Sequence, residues 1–153
     1  YKIDADIAEL TGLAHDIAKE MTNEEKLEYA QKHHIEIDEI EKSNIGLLHA
    51  KIGADIAKNK YGFSEKMQNA IKYHTVTNSD MDLLAKIIFV SDKIEENREY
   101  EGVQELRRLA EIDIDECMLK ILDYTIKENI DKEKLLYLDS IKTRNKIIMK
   151  KSK

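Results

Sequence analysis

The most apolar part of the chain reads Leu83-Leu84-Ala85-Lys86-Ile87-Ile88-Phe89-Val90-Ser91-Asp92. Its apolar band is wider than the stripe of an ordinary amphipathic helix, which predicts a central, mostly buried helix over residues 81–95. A carboxylate is costly to bury at the end of such a helix unless it contacts a cation, several hydrogen-bond donors or a metal ion. Asp92 is therefore a candidate functional residue.

Helical spacing extends over the rest of the chain. Apolar residues three or four apart predict a first helix near residues 4–19, and the capping-box spacing of residues 22–25 predicts the start of a second. Further helices are expected at 45–60, which Gly62 would end, then from Ser64 to His74, and at 103–110, 114–129 and 131–149. Because proline is absent and glycine occurs only five times, the composition also favours an all-α fold.

Composition limits the classes of protein that need to be considered. A chain of 153 residues with 42% hydrophobic and 37% charged residues suits one domain of amphipathic helices, which we expect to span residues 1–153. The net charge of -6 argues against a nucleic-acid polymer as partner, but a bound metal ion would still allow a small anionic substrate. No apolar run approaches the roughly 20 residues of a membrane helix. The basic end at residues 146–151 is interpreted as a solvated helix end, with a membrane-surface segment as the alternative.

The single cysteine, Cys117, lies in an apolar stretch. It cannot form an internal disulfide, which fits a reducing cytoplasm. We interpret it as a small buried hydrophobic residue; the alternative is a catalytic thiol.

Four segments carry residues that could bind metal. His15-Asp16 lies near the end of the first predicted helix, His49 lies within the apolar stretch 46–54, and His74 stands at a predicted helix end. Each taken alone is well explained as a capping or hydrogen-bonded core residue. Together with Asp92 they place imidazole or carboxylate groups on four separate apolar helices, and a shared metal site explains the set.

The ligand chemistry narrows the metal. Imidazole and carboxylate without thiolate suit iron(II), manganese, zinc, cobalt or nickel. Asp16 has two oxygens and could bridge two ions, with His15 and Asp92 on one and His49 and His74 on the other. Two ions about 3.5–4 Å apart would suit the hydrolysis of a phosphoester or phosphoanhydride. The neighbouring pair His33-His34 lies in an ambiguous polar stretch, residues 33–43, and is interpreted as a surface feature rather than part of this site.

The segments around these residues resemble one family. Ala14-His15-Asp16-Ile17-Ala18-Lys19 and Leu48-His49-Ala50-Lys51-Ile52-Gly53-Ala54 are similar to the YqeK-like family of the HD superfamily, the symmetrical bis(5'-nucleosyl)-tetraphosphatases. The segments 70–75, 86–95, 97–103 and 107–110 share this similarity, which runs in one order from about residue 5 to residue 130. The resemblance implies an HD-domain helical bundle and a bacterial, cytoplasmic enzyme that splits diadenosine tetraphosphate into two ADP.

The resemblance also implies roles for individual residues. The metal ligands would be His15, Asp16, His49, His74 and Asp92, with iron as the cofactor, in a binuclear site if two ions bind. Lys19, Thr75 and Arg98 would contact the polyphosphate, and Asp16, Lys19 and Arg98 would take part in catalysis. Lysine as a point charge and arginine as a fork both suit phosphate oxygens. A solvated helix end or a surface ion pair is the alternative for Lys19 and Arg98. A homodimer is a further expectation.

Two departures from the family pattern are visible. The family supplies a further histidine ligand from a helix before the His-Asp pair, whereas only 14 residues precede His15 here and none is histidine. We expect either that the chain lacks this N-terminal helix, which the start at Tyr1 favours, or that the site has one ligand fewer. Glu96 stands where the family usually has proline, which affects a turn rather than the chemistry.

Two other functions remain open at this point. Another HD phosphohydrolase, acting on a deoxynucleoside triphosphate or an alarmone, would use the same ligands with a different pocket. A non-catalytic helical module that binds nucleotide without hydrolysing it would keep the fold.

Overall fold

The computed structural model describes residues 1–152, which form an all-α bundle without strands. Its helices are α1 (Ala5–Ala14), α2 (Asn23–Lys32), α3 (Glu39–Ser43), α4 (Leu48–Tyr61), α5 (Glu65–Lys72), α6 (Leu83–Ile94), α7 (Val103–Ile112), α8 (Ile114–Asp131) and α9 (Leu138–Lys151), with a 3-10 turn at Ile45–Leu47. No helix in residues 1–152 combines the length and the apolar character needed to cross a bilayer.

Helix α6 is the central element, as its apolar sequence predicts. It contacts α1 and α5 as well as α7 and α8. Phe89 and Val90 join Met118 and Ile121 of α8 in the main core cluster, where Cys117 is also buried. Full burial of side chains of this size stabilises the fold by about 1.5–3 kcal/mol each. The buried hydrophobic role predicted for Cys117 matches this position, and burial raises the pKa of its thiol to about 11.

Local capping signals account for most helix boundaries. Thr22 and Glu25 form the predicted capping box, and Gly62 ends α4 in the left-handed conformation with φ of 64°. Ser64 accepts a hydrogen bond from the backbone of Met67 and starts α5. The ambiguous stretch 33–43 contains α3, which begins with a second capping box made by Asp38 and Glu41.

The first helix is shorter than predicted. Helix α1 ends at Ala14, and residues 15–20 continue as tight turns in which Ile17 N donates to the carbonyl of Ala14 and Lys19 N to that of Asp16. The apolar periodicity runs through this segment and does not distinguish such turns from a helix. The consequence is that His15 and Asp16 do not lie on a regular helix.

The last helix also starts later than the predicted residue 131. Helix α8 runs through Asp131, and the chain then reverses at Glu133, whose φ is 53°. The amide of Lys134 donates to the carbonyl of Asn129 and closes the end of α8. Residues 134–137 are irregular, and α9 packs against α8. Neither glycine nor proline marks this break in the sequence.

Candidate metal centre

Three histidines are held in the same way. His15, His49 and His74 each place Nδ1 within hydrogen-bond distance of the backbone carbonyl three residues earlier. The carbonyls are those of Gly12, Gly46 and Ile71, at 2.5, 2.8 and 2.6 Å. A carbonyl can only accept, so Nδ1 carries the hydrogen and Nε2 of each neutral ring presents a lone pair. Such outer hydrogen bonds are typical of metal-binding histidines.

The free nitrogens of two rings face each other. His49 Nε2 lies 3.0 Å from His74 Nε2, and Asp16 Oδ1 lies 3.3 Å from each of them. His49 is 9% exposed and His74 is fully buried. Lone pairs and a carboxylate oxygen at these distances repel one another unless a cation or a proton lies among them.

Asp16 connects this group to a second one. Its Oδ2 lies 3.4 Å from His15 Nε2, which in turn lies 3.3 Å from Asp92 Oδ1. Within residues 1–152, His15 Nε2 and Asp16 Oδ1 are buried without a hydrogen-bond partner. Ligand atoms of His15, Asp16 and His74 all lie within 4.8 Å of one another. Oδ1 of Asp16 therefore faces the nitrogens of His49 and His74, whereas its Oδ2 faces the nitrogen of His15.

Each of these residues comes from the end of a helix. His15 and Asp16 lie in the turns after α1, His49 is in the first turn of α4, His74 follows α5, and Asp92 is in the last turn of α6. The turns after α1 explain how two successive residues reach one centre, because neighbours in a regular helix diverge by about 100°. Helix ends thus bring side chains from residues 15 to 92 to one place.

Gly53 allows α4 to approach the turns that carry His15 and Asp16. A Cβ at position 53 would lie 3.3 Å from the Ile71 side chain, 3.4 Å from that of Ile17 and 3.7 Å from the carbonyl of His15. Glycine at this position thus permits the close packing that places His49 near Asp16.

Three cations surround the carboxylates. Lys19 Nζ lies 2.8 Å from Asp16 Oδ2, and Lys93 Nζ lies 2.7 Å from Asp92 Oδ2. Arg98 Nη2 lies 3.5 Å from Asp92 Oδ1, and its Nε donates to the Asp92 carbonyl at 3.2 Å. The side chains of Lys19 and Arg98 are 50% and 38% exposed, so both border the centre and solvent.

The charges shift the pKa values of the group. Burial raises the pKa of Asp16, but the hydrogen bond that a protonated His74 donates to it and the contact with Lys19 outweigh this and hold the pKa well below the ordinary value. Asp92 behaves likewise: burial raises its pKa, and His15 and Lys93 lower it further than burial raises it. The contact with Asp92 raises the pKa of His15, whereas burial lowers that of His49. Both carboxylates are therefore ionised at neutral pH.

Two further residues support the centre without having been predicted. Lys93 contacts Asp92, as described above. Arg107 of α7 donates to the carbonyls of Ile94, Glu95, Glu96 and Arg98, and so fixes the loop that carries Arg98. Arg107 lies in a segment that resembles the family, but no sequence signal assigned it a role.

The other candidate residues lie outside the centre or at its border. Thr75 directly follows His74 and lines two adjoining cavities. His33 stacks on Tyr29 and its Nδ1 lies 3.0 Å from Asp55 Oδ2, so it belongs to a contact between α2 and α4. His34 is exposed, with φ of 54°.

The donor set fits a metal ion. Three imidazole nitrogens and two carboxylates converge, all from side chains already oriented, and two of the atoms have no other partner within residues 1–152. Nitrogen and oxygen donors without sulfur suit the divalent first-row metals.

Comparisons with known proteins agree with this geometry. The family model described as "HD domain" matches residues 1–97. The symmetrical bis(5'-nucleosyl)-tetraphosphatase of Bacillus subtilis (strain 168) is 32% identical over 149 residues, covering 97% of this chain and 80% of its own. The enzyme of the same name from Halalkalibacterium halodurans is 31% identical over 150 residues, with the same coverage.

A solved structure is similar throughout. A predicted HD superfamily hydrolase from Clostridium acetobutylicum, described as involved in NAD metabolism, superposes with a TM-score of 0.92 at 38% identity, over 98% of this chain and 80% of its own. The fold, the family match and the near full-length relatives agree. The chain therefore belongs to the HD domain family, among the symmetrical bis(5'-nucleosyl)-tetraphosphatases.

Proposed function

We propose that this chain is a metal-dependent hydrolase that cleaves diadenosine tetraphosphate symmetrically into two ADP. The observation that carries the proposal is the convergence of His15 Nε2, Asp16 Oδ1 and the facing nitrogens of His49 and His74 in a largely buried space. The similarity to relatives named for this reaction, over 97% of the chain, supplies the substrate.

The residues that would hold metal are His15, Asp16, His49, His74 and Asp92. Asp16 would be shared by the two groups of ligands, because its Oδ1 faces His49 and His74 and its Oδ2 faces His15, which contacts Asp92. Divalent ions, when bound, supply the Lewis acidity that phosphoanhydride hydrolysis needs. We propose iron as the resident metal, with manganese, cobalt, nickel and zinc as alternatives that the same donors accept.

Lys19 and Arg98 would bind the polyphosphate. Both side chains are partly exposed and both contact carboxylates of the centre, so a phosphate bound there would lie beside them. Their positive charge offsets the negative charge that builds up on the phosphate oxygens in the transition state. Arg107 keeps the Arg98 loop in place for this contact.

The direct experiment combines metal analysis with product analysis. The purified protein is reconstituted anaerobically with iron(II), incubated with diadenosine tetraphosphate, and its products are separated by ion-exchange chromatography. We expect ADP as the sole nucleotide product. Equal amounts of AMP and ATP would contradict symmetrical cleavage, and turnover restricted to a deoxynucleoside triphosphate or an alarmone would contradict the substrate.

A variant pair tests the metal assignment. Asp16→Ala should lose bound metal and activity together, because both proposed ion positions depend on Asp16. Asp131→Asn, an exposed position at the end of α8, serves as the control and should retain both. Normal turnover by Asp16→Ala would overturn the assignment.

A further inference from the structure

We propose that a cavity between α3, α8 and residues 132–137 binds one nucleoside end of the substrate. This inference rests on the proposed function, because it assigns a place to the adenosine beyond the phosphates. The cavity, here called the α8 cavity, has a volume of about 570 Å³ and is lined in part by Leu122, Ile126 and Asn129 of α8. Its size falls within the roughly 300–1,000 Å³ typical of small-molecule sites.

The α8 cavity adjoins the candidate metal centre along the chain. Thr75 lines the cavity and directly follows His74. Leu47 lines it as well, two residues before His49 and next to Gly46, whose carbonyl accepts the His49 hydrogen bond. Two of the proposed ligands and part of the cavity wall thus belong to the same short segments, and the proposal places the phosphates at the metal centre and the nucleoside in the cavity.

The chemistry of the walls suits an uncharged base and ribose. Apolar side chains from α8 and from the segment before α9 cover much of the surface, among them Leu122, Ile126 and Leu136. The only charged residues among those lining it are Glu133 and Lys134, whose charges offset each other. Such walls offer no net cationic surface to bind phosphates, so we place the phosphates at the cations of the metal centre.

Polar groups in the α8 cavity match the edge of a purine. The amides of Asn44 and Asn129 line it; Asn44 is exposed and Asn129 is half-buried. An amide can donate and accept at once, which is the pattern that adenine presents through N6 and N7. Amides beside apolar walls are therefore compatible with the binding of adenine.

Tyr137 links two walls of the α8 cavity. Its hydroxyl lies 3.3 Å from Asp38 Oδ2 and 3.4 Å from Oδ1, at the start of α3, while the residue itself lines the cavity from the other side of the chain. The contact joins the segment before α9 to α3. An aromatic ring in this wall also offers a surface for stacking a base.

The test measures two ligands on the metal-loaded protein. Ile126→Trp places a larger side chain on the cavity wall, while Ile130→Trp makes the same change at a 58% exposed position on the same helix. Isothermal titration with ADP and with inorganic pyrophosphate separates the nucleoside contribution from the phosphate contribution. Ile126→Trp should weaken ADP binding by about tenfold or more and pyrophosphate binding by less than about twofold, because only ADP carries a nucleoside. Ile130→Trp should change neither.

A smaller substitution keeps the test usable if Ile126→Trp does not fold. Asn129→Ala removes one amide without adding volume, and it should weaken ADP binding by about fivefold or more, again without effect on pyrophosphate. If Ile126→Trp does not fold, Asn129→Ala alone decides the matter. Equal weakening of ADP and pyrophosphate, or no change in either, would overturn the nucleoside assignment.

The failure of this inference differs from failure of the proposed function. A wild-type protein that binds ADP through Ile126 but releases no ADP from the dinucleotide would retain the α8 cavity as a nucleoside site and refute the hydrolase. Production of two ADP by both the wild type and Ile126→Trp with the same KM would retain the hydrolase and refute the cavity.

Discussion

The Nε2 atoms of His49 and His74 lie 3.0 Å apart, although in the neutral rings neither has a hydrogen to share with the other, because both rings donate Nδ1–H to backbone carbonyls. Asp16 Oδ1 completes the group at 3.3 Å from each nitrogen. The fold thus holds three electron-rich atoms together, and a cation relieves their repulsion.

Metal removal should therefore destabilise the protein. Chelation should lower the thermal unfolding midpoint, and adding iron(II) or manganese(II) should restore it. At a free metal concentration 100 times the Kd, the gain in unfolding free energy would be about 2.7 kcal/mol. Differential scanning calorimetry with and without chelator measures this change. Identical midpoints in both samples, with metal analysis showing that the chelator worked, would argue against the centre.

Lys93 should act on metal affinity through Asp92. Lys93→Met removes the ammonium that lies 2.7 Å from Asp92 Oδ2, and loss of such an outer contact typically lowers metal affinity by about 10–100-fold. Lys86→Met is the matched control, because Lys86 lies on the same helix and pairs with Asp115 instead. Metal titration of both variants decides the role: equal affinities would mean that Lys93 has no part in holding the ligand.

Arg107 should control the order of the Arg98 loop. Arg107→Ala leaves the carbonyls of residues 94–98 without their charged donor, at a cost of about 1.5–3 kcal/mol in stability. Hydrogen exchange at residues 95–99 should accelerate and the KM for the dinucleotide should rise. Arg108→Ala, at an exposed neighbouring position, is the control and should leave both unchanged. Unaltered exchange in Arg107→Ala would contradict the positioning role.

Gly53 should resist enlargement. Gly53→Val would press on the side chains of Ile17 and Ile71, and overpacking of this kind typically costs about 1–3 kcal/mol. Because the contact lies under the turns that carry His15 and Asp16, metal affinity should fall along with stability. Urea unfolding and metal titration together measure the effect. A variant with wild-type values for both would show that the close approach has no importance for the centre.

Asp115 should contribute to the pH dependence of stability. Burial raises its pKa, but the hydrogen bond from Lys86 outweighs burial and lowers the pKa below 3.8. A depressed carboxyl pKa in the folded state means that the stabilisation is present above about pH 4 and is lost as the pH falls further. Asp115→Asn should therefore be less stable than the wild type at pH 7, with the difference shrinking toward pH 3. A difference that stays constant across this range would exclude the linkage.

Much of the helical framework could be predicted because it depends on local signals. Neighbouring residues in the sequence determine three of these signals: the apolar band of α6, the capping box at Thr22 and the glycine that ends α4. The end of α1 and the start of α9 could not be predicted, because the hydrophobic period continues through the first and no glycine or proline marks the second. At both places the helix boundary depends on tertiary packing rather than on a local signal.

The candidate site shows the same division. Residue types on apolar helices indicated which imidazoles and carboxylates would meet, since burying them separately is unfavourable. The sequence indicated Lys19 and Arg98 only through the family resemblance, and it did not indicate Lys93 or Arg107. Lys93 follows Asp92 in a helix, where neighbours diverge, and Arg107 reaches the Arg98 loop only because α7 folds back across it. Contacts of this kind depend on the path of the chain between helices, which periodicity does not describe.

Each histidine of the centre and the carbonyl that orients it belong to the same stretch of four residues. A rigid shift of any one helix end therefore carries ring and carbonyl together, and the direction of the ring relative to its own segment is preserved. A change in the distances between helices would consequently change the radius of the ion that fits. The orientation of each imidazole relative to its own segment would stay the same.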